Sequence, residues 1–255
     1  MTDIQRPQAS DPKDSTTHVS ETSASTAGMS RTAEEGKEEY KEVWNTLAAT
    51  FRSAVIHVQG DVTEAEMQAA GEATVQDLQA TIGIAPDDTV LEIGCGVGRV
   101  GKVIAPLCQR WIGCDVSAAM LHHARERLRG LTNTDFVEIS GFDLSPVADE
   151  SVDVVYCTVV FMHLEEWDRY SYILEARRVL RPGGRIYVDN FSLCHDYGWH
   201  LFETLRATYR PGQRPQHISR SSTPAEIETY LTRAGFSSVQ VRQQREWIQG
   251  WATRP

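Results

Sequence analysis

From residue 88 onward, apolar positions change period repeatedly. Short apolar runs, TVLEIG (89–94), RWIGCD (110–115), DFVEI (135–139), VDVVYCTVV (152–160) and GRIYVD (184–189), alternate with stretches of helical spacing at 117–130 and 165–180. A strand followed by a helix and another strand returns the chain parallel to itself, so the pattern predicts a parallel sheet covered on both faces. Ahead of the first strand, Tyr40, Val43, Trp44, Leu47, Phe51, Ala54 and Val55 predict one amphipathic helix. A capping box from Thr63 to Glu66 opens a second, with Met67, Val75, Leu78 and Ile82 on one side. Late in the chain, Thr223 as N-cap, Pro224 at N1, Glu226 at N3 and Gly235 as stop predict a helix over 223–234. Two stretches follow with no helix between them, about 236–243 and 246–253, and these predict an antiparallel hairpin at one edge of the sheet. Segment 192–222 reads as a long aromatic and basic connection.

Composition divides the chain further. Residues 1–35 are rich in Ser, Thr, Asp, Glu, Ala and Pro, with Ile4 and Val19 as the only large branched aliphatics, and are expected to be a disordered tail. Residues 36–84 then form an N-terminal helical segment and 85–255 the main domain. With 255 residues, 41% hydrophobic and 24% charged, the chain can build a core. A net charge of −10 disfavours nucleic acid and anionic membrane surfaces. No apolar run reaches the roughly 20 residues that span a bilayer, and the Met1 region lacks the apolar stretch of a signal peptide, so the expectation is cytoplasmic. Cys95, Cys108, Cys114, Cys157 and Cys194 contain no CxxC pair and read as reduced thiols.

The richest stretch is Val90-Leu91-Glu92-Ile93-Gly94-Cys95-Gly96-Val97-Gly98-Arg99-Val100-Gly101. A buried strand that ends in alternating glycines lets a ligand approach the backbone closely. Gly96-x-Gly98-x-x-Gly101, with Asp115 further on, also fits a dinucleotide fingerprint. Glu92 argues otherwise, because a carboxylate at the strand end repels a diphosphate and attracts an ammonium. Asp115 closes the next strand, where an acidic residue can accept both hydroxyls of a ribose. An adenosine with an amino-acid tail satisfies both, and S-adenosylmethionine (SAM) is that molecule.

ExGxGxG at Glu92–Gly98, GxDxS at Gly113–Ser117, SVDVVY at Ser151–Tyr156 and LRPGG at Leu180–Gly184 resemble the class I SAM-dependent methyltransferases over about residues 85–255. The resemblance implies a Rossmann-like, doubly wound α/β fold with a seven-stranded sheet, six strands parallel and the last antiparallel. It implies that Glu92, Gly94, Gly96 and Gly98 surround the methionine end and that Asp115 holds the ribose. The chain departs from the family at the adenine loop, where it reads Ile139-Ser140-Gly141-Phe142-Asp143, so Ser140, Gly141, Phe142 and Asp143 are all adenine candidates.

Methyl transfer needs mainly positioning and desolvation of the acceptor, with a base only where the acceptor must lose a proton. Candidates follow the fourth and fifth strands, where open α/β sheets bind ligands. Cys157 is assigned to the cofactor, Phe161 and Met162 to the acceptor, and His163, Asp189 and His195 to catalysis. Asp189-Asn190 resembles the ligand pair of catechol-type metal-dependent enzymes, but Cys157 and Thr158 stand where that family needs an acid, so no metal is expected. Tyr40 and Trp44 read as core residues of their helix or as a lid on the cofactor. Trp199 and Arg210, in the aromatic and basic 192–222 segment, are assigned to a small-molecule acceptor with an anionic group; the same residues also fit a homodimer contact. Two other functions fit the glycine turn, a non-catalytic SAM-binding sensor or partner subunit and an NAD-dependent oxidoreductase.

Overall fold

A computed structural model describes the backbone of residues 33–255, with side chains from residue 38. The expected disordered tail therefore lies outside the described residues except for 33–35, which form the first turn of a helix. That helix, α1 (Ala33–Leu47), is followed by α2 (Phe51–Gln59), so the single helix expected through Val55 is two. The break is chemical. Thr50 Oγ1 accepts from the Ser53 backbone N–H at 3.1 Å and caps α2, while Ser53 Oγ donates to the Leu47 carbonyl at 2.6 Å and ends α1. In α3 (Glu64–Thr81) the predicted capping box is present in full, and Met67, Val75 and Leu78 are buried.

The main domain runs β1 (Thr89–Ile93), α4 (Gly101–Ile104), β2 (Arg110–Asp115), α5 (Ala118–Arg127), β3 (Thr134–Glu138), β4 (Val152–Cys157), α6 (Glu166–Val179) and β5 (Leu180–Phe191). It ends with α7 (Asp196–Thr208), α8 (Pro224–Arg233), β6 (Ser237–Gln244) and β7 (Trp247–Thr253). The seven strands lie in the order β3-β2-β1-β4-β5-β7-β6, parallel except that β7 pairs antiparallel with both β5 and β6. This is the expected Rossmann-like sheet, and β6–β7 is the expected hairpin. Strand order reverses between β1 and β4, the position at which open α/β sheets part to admit a ligand.

The two faces of the sheet are filled by different helices. Leu91 and Ile93 point with Val155, Ile186 and Val188 into one layer against α6 and α8. Val90, Trp111, Val154, Tyr156 and Tyr187 point into the other, against Val75 and Leu78 of α3 and Leu121 of α5. Because side chains alternate along a strand, Glu92 shares the face of Val90 and Tyr156. Segment 192–222 is not one connection, since it contains the thirteen-residue α7. Among the described residues no helix is long and apolar enough to cross a membrane.

Candidate functional site

The site starts where β1 ends. The Gly94 and Cys95 N–H groups both donate to the Cys114 carbonyl, at 2.8 and 2.9 Å, and the Gly96 N–H donates to Asp115 Oδ2 at 2.8 Å. These bonds stitch the glycine turn to the end of β2. Gly94 (φ +72°) and Gly96 (φ +53°) are both in the left-handed region. A Cβ on Gly94 would run into the Val160 side chain, and one on Gly96 would lie 2.9 Å from Val58 Cγ2, so the turn is closely packed from both sides.

Two carboxylates flank it. Asp115 accepts from Gly96 with one oxygen and from the Ser117 N–H with the other, at 2.9 Å, while burial raises its pKa to about 6. Glu92 is 3% exposed. Burial pushes its carboxyl up to about 8, against the opposing pull of the Tyr156 hydroxyl, which donates to Oε2 at 2.6 Å, and of Arg99. Such a group is held largely neutral by its burial, and an arriving ammonium would favour the ionised state.

Glu92, Gly94, Gly96 and Asp115 share a cavity of about 760 Å³, open mouth included, with Gly141 and His163. Tyr40 and Trp44 of α1 and His57 and Val58 of α2 form its outer wall. The Thr158 hydroxyl, on the wall at the end of β4, is buried without a hydrogen-bond partner among the described residues. His163 Nδ1 lies 2.8 Å from the His217 carbonyl, which can only accept, so Nδ1 carries the proton and Nε2 is a bare lone pair. Burial lowers the His163 pKa to about 4.

The remaining expected residues do not line this cavity. The Cβ direction of Gly98 points at Leu128 and Ala124, because this third glycine serves helix packing. Ser140 and Asp143 are tied to each other, Ser140 Oγ donating to Asp143 Oδ1 at 2.8 Å and accepting from the N–H groups of Phe142 and Asp143. That knot leaves Gly141 as the loop's contribution to the wall. Cys157 and Phe161 are wholly buried in the layer beneath α6, and Met162 is buried beside them, its carbonyl accepting from the Arg220 N–H at 2.6 Å. Asp189 accepts the Val159 N–H at 2.7 Å, and Asn190 donates to Ser222 Oγ at 2.7 Å, so this pair holds loops. His195 caps α7 through the Tyr197 N–H, and Trp199 and Arg210 are exposed.

Several wall residues escaped the sequence reading. Arg99 is 6% exposed and donates to the Ala70 carbonyl and to Thr74 Oγ1 at 3.1 and 2.9 Å; a charged residue inside a Gly/Val run was the available signal. His57 and Val58 of α2 and Tyr172 of α6 come from two separate segments, and nothing local marks them.

The fold and this site define a nucleoside-binding α/β domain suited to a ligand with a cationic amino-acid end. A methyltransferase-domain family matches residues 91–188. The chain is 30% identical to a thiol S-methyltransferase of Homo sapiens, over 65% of this chain and 67% of that protein. It is 28% identical to a malonyl-[acyl-carrier protein] O-methyltransferase of Methylococcus capsulatus, over 61% of this chain and 54% of that one. Among solved structures, magnesium protoporphyrin IX methyltransferase from Synechocystis with bound SAH aligns with a TM-score of 0.63, at 20% identity, over 86% of this chain and 99% of that one. The chain belongs to the class I SAM-dependent methyltransferases. It spans about half the length of several curated relatives it matches.

Proposed function

We propose that the protein transfers a methyl group from SAM to a small-molecule acceptor, at oxygen or nitrogen. The carrying observation is that one cavity holds the buried Glu92 carboxyl at the glycine turn and Asp115 at the end of β2. The residues fit the cofactor. Glu92 suits its ammonium, Asp115 its ribose, and Gly141 lies at the wall where an adenine would stack. When bound, SAM supplies an electrophilic methyl on a sulfonium.

The protein's own part is to position, to dry and to take up a proton. Tyr40, Trp44, His57 and Val58 act as a lid that excludes water. The acceptor enters through a second cavity that shares Tyr40, His163 and Leu164 with the first and continues past Gln216 and Arg214. His163 Nε2 takes the acceptor proton, and its weak basicity is sufficient for the strongly acidic oxonium left after an oxygen is methylated. The test is incubation with SAM and a panel of phenols, carboxylic acids, amines and thiols, following formation of S-adenosylhomocysteine (SAH). SAH should accumulate with a hydroxyl or amine acceptor, and His163→Ala should lower kcat about tenfold or more at unchanged SAM affinity. SAM binding with no turnover on any acceptor would favour a sensor or partner subunit.

A further inference from the structure

We infer that Tyr156, itself fixed by Trp111, is a positioning residue that aims the Glu92 carboxylate at the amino-acid end of the cofactor. The inference rests on the proposal that Glu92 receives the cofactor's ammonium. The three residues sit on adjacent parallel strands, with Trp111 of β2 paired to Val90 and Tyr156 of β4 paired to Glu92. Trp111 and Tyr156 are completely buried.

The direction of the chain of bonds follows from donor chemistry. An indole N–H can only donate, and Trp111 Nε1 lies 3.1 Å from Tyr156 Oη. That bond occupies an acceptor site of the hydroxyl, whose single proton then goes to Glu92 Oε2 at 2.6 Å. Oε2 is thereby engaged on the protein side, the Trp111 indole also bears on the carboxyl, and Glu92 lines the cavity with the hydrogen-bonding capacity that remains. Room for the indole is specified too, since a side chain at Gly113, the residue paired with Glu92, would overlap the Trp111 ring. A carboxylate aimed before the ligand arrives loses less rotamer freedom on binding. The other charged groups facing Glu92 are Arg99, from the turn after β1, and Asp115, at the end of β2.

The test is calorimetry of Tyr156→Phe with SAH and with 5′-methylthioadenosine, which has the same nucleoside and no amino-acid tail, between pH 6 and 9. SAH affinity should fall about tenfold while 5′-methylthioadenosine stays within about twofold. SAH affinity of the wild type should rise with pH as Glu92 ionises. In Tyr156→Phe, which lacks the hydroxyl that favours the ionised form, this rise should move to higher pH. Trp111→Phe should give a smaller SAH-specific loss, and Tyr156→Phe should add nothing in a Glu92→Gln background. Equal losses for both ligands would overturn the inference in favour of a purely structural Tyr156, as would unchanged SAH affinity and pH profile. Wild-type protein that binds neither SAH nor SAM would instead overturn the underlying functional proposal.

Discussion

Glu92→Gln should stabilise the unliganded protein while damaging cofactor binding. The carboxyl is 3% exposed and its pKa is pushed from 4.5 to about 8, so in the folded chain at pH 7 it is mostly protonated, whereas unfolded it would be ionised. A pKa raised on folding contributes stability below the unfolded value and loses it as pH rises through the folded value. At about 1.4 kcal/mol per unit, proton uptake between 4.5 and pH 7 costs about 3 kcal/mol. Glutamine keeps the volume and an acceptor for the Tyr156 hydroxyl, and removes the titration. Its new amide N–H groups need partners, at about 1 kcal/mol. The balance is about 2 kcal/mol, or about 4–8 °C in melting temperature for a chain of this size. Thermal denaturation without ligand at pH 5, 7 and 8.5 should show the variant gaining stability over wild type as pH rises, while calorimetry shows weaker SAH binding. A variant no more stable than wild type at pH 8.5 would refute a neutral, cation-seeking Glu92.

Asp115→Ala should weaken SAH binding by about 1.5–3 kcal/mol in calorimetry, the range for bonds to a charged group, and should also loosen the turn, whose Gly96 N–H loses its acceptor. Asp189→Ala should cost about 1–3 kcal/mol in denaturant melts, because it releases the N–H of Val159, a β-branched residue held at φ +62°; Asp189→Asn, which keeps an acceptor, should cost less. Because burial holds the His163 pKa near 4, the contribution of this residue to kcat should be flat from about pH 6 to 9 and fall only as pH drops toward 4 and Nε2 is protonated. Trp199→Ala should leave SAH affinity within about threefold by calorimetry, since Trp199 is 52% exposed on α7 and away from the cavity.

The sheet and the cofactor end of the site were legible because their signals are local. Apolar runs bounded by turn residues gave β1, β2 and β3 to within a residue at each end, while the run 152–160 overran β4 and 184–189 fell short of β5 at both ends; Glu92, Gly94, Gly96 and Asp115 lie within one βαβ unit. The break at Thr50 was hidden because apolar spacing continues across it, while the decisive bonds come from Thr50 and Ser53. α7 was missed because its aromatic residues Tyr197, Trp199 and Phe202 are exposed, Leu201 and Leu205 are only half-buried, and Gly198 is its one buried residue. Cys157, the last residue of β4, was misplaced for a different reason. A strand buried on both faces carries no alternation that tells which side chains meet a ligand. The outer wall, from Tyr40 to Val58, is brought to the cavity by tertiary packing, and for Tyr40 and Trp44 helical spacing could not separate core from lid.

The account is tested most directly by a crystal structure with SAH bound. It predicts the ligand amine within hydrogen-bonding distance of Glu92, the ribose hydroxyls on Asp115 and the base beside Gly141, with the sulfur facing Thr158 and His163. A ligand lying in the reverse direction, with adenine at Glu92, or seated outside the cavity between Asp115 and Trp44, would contradict it.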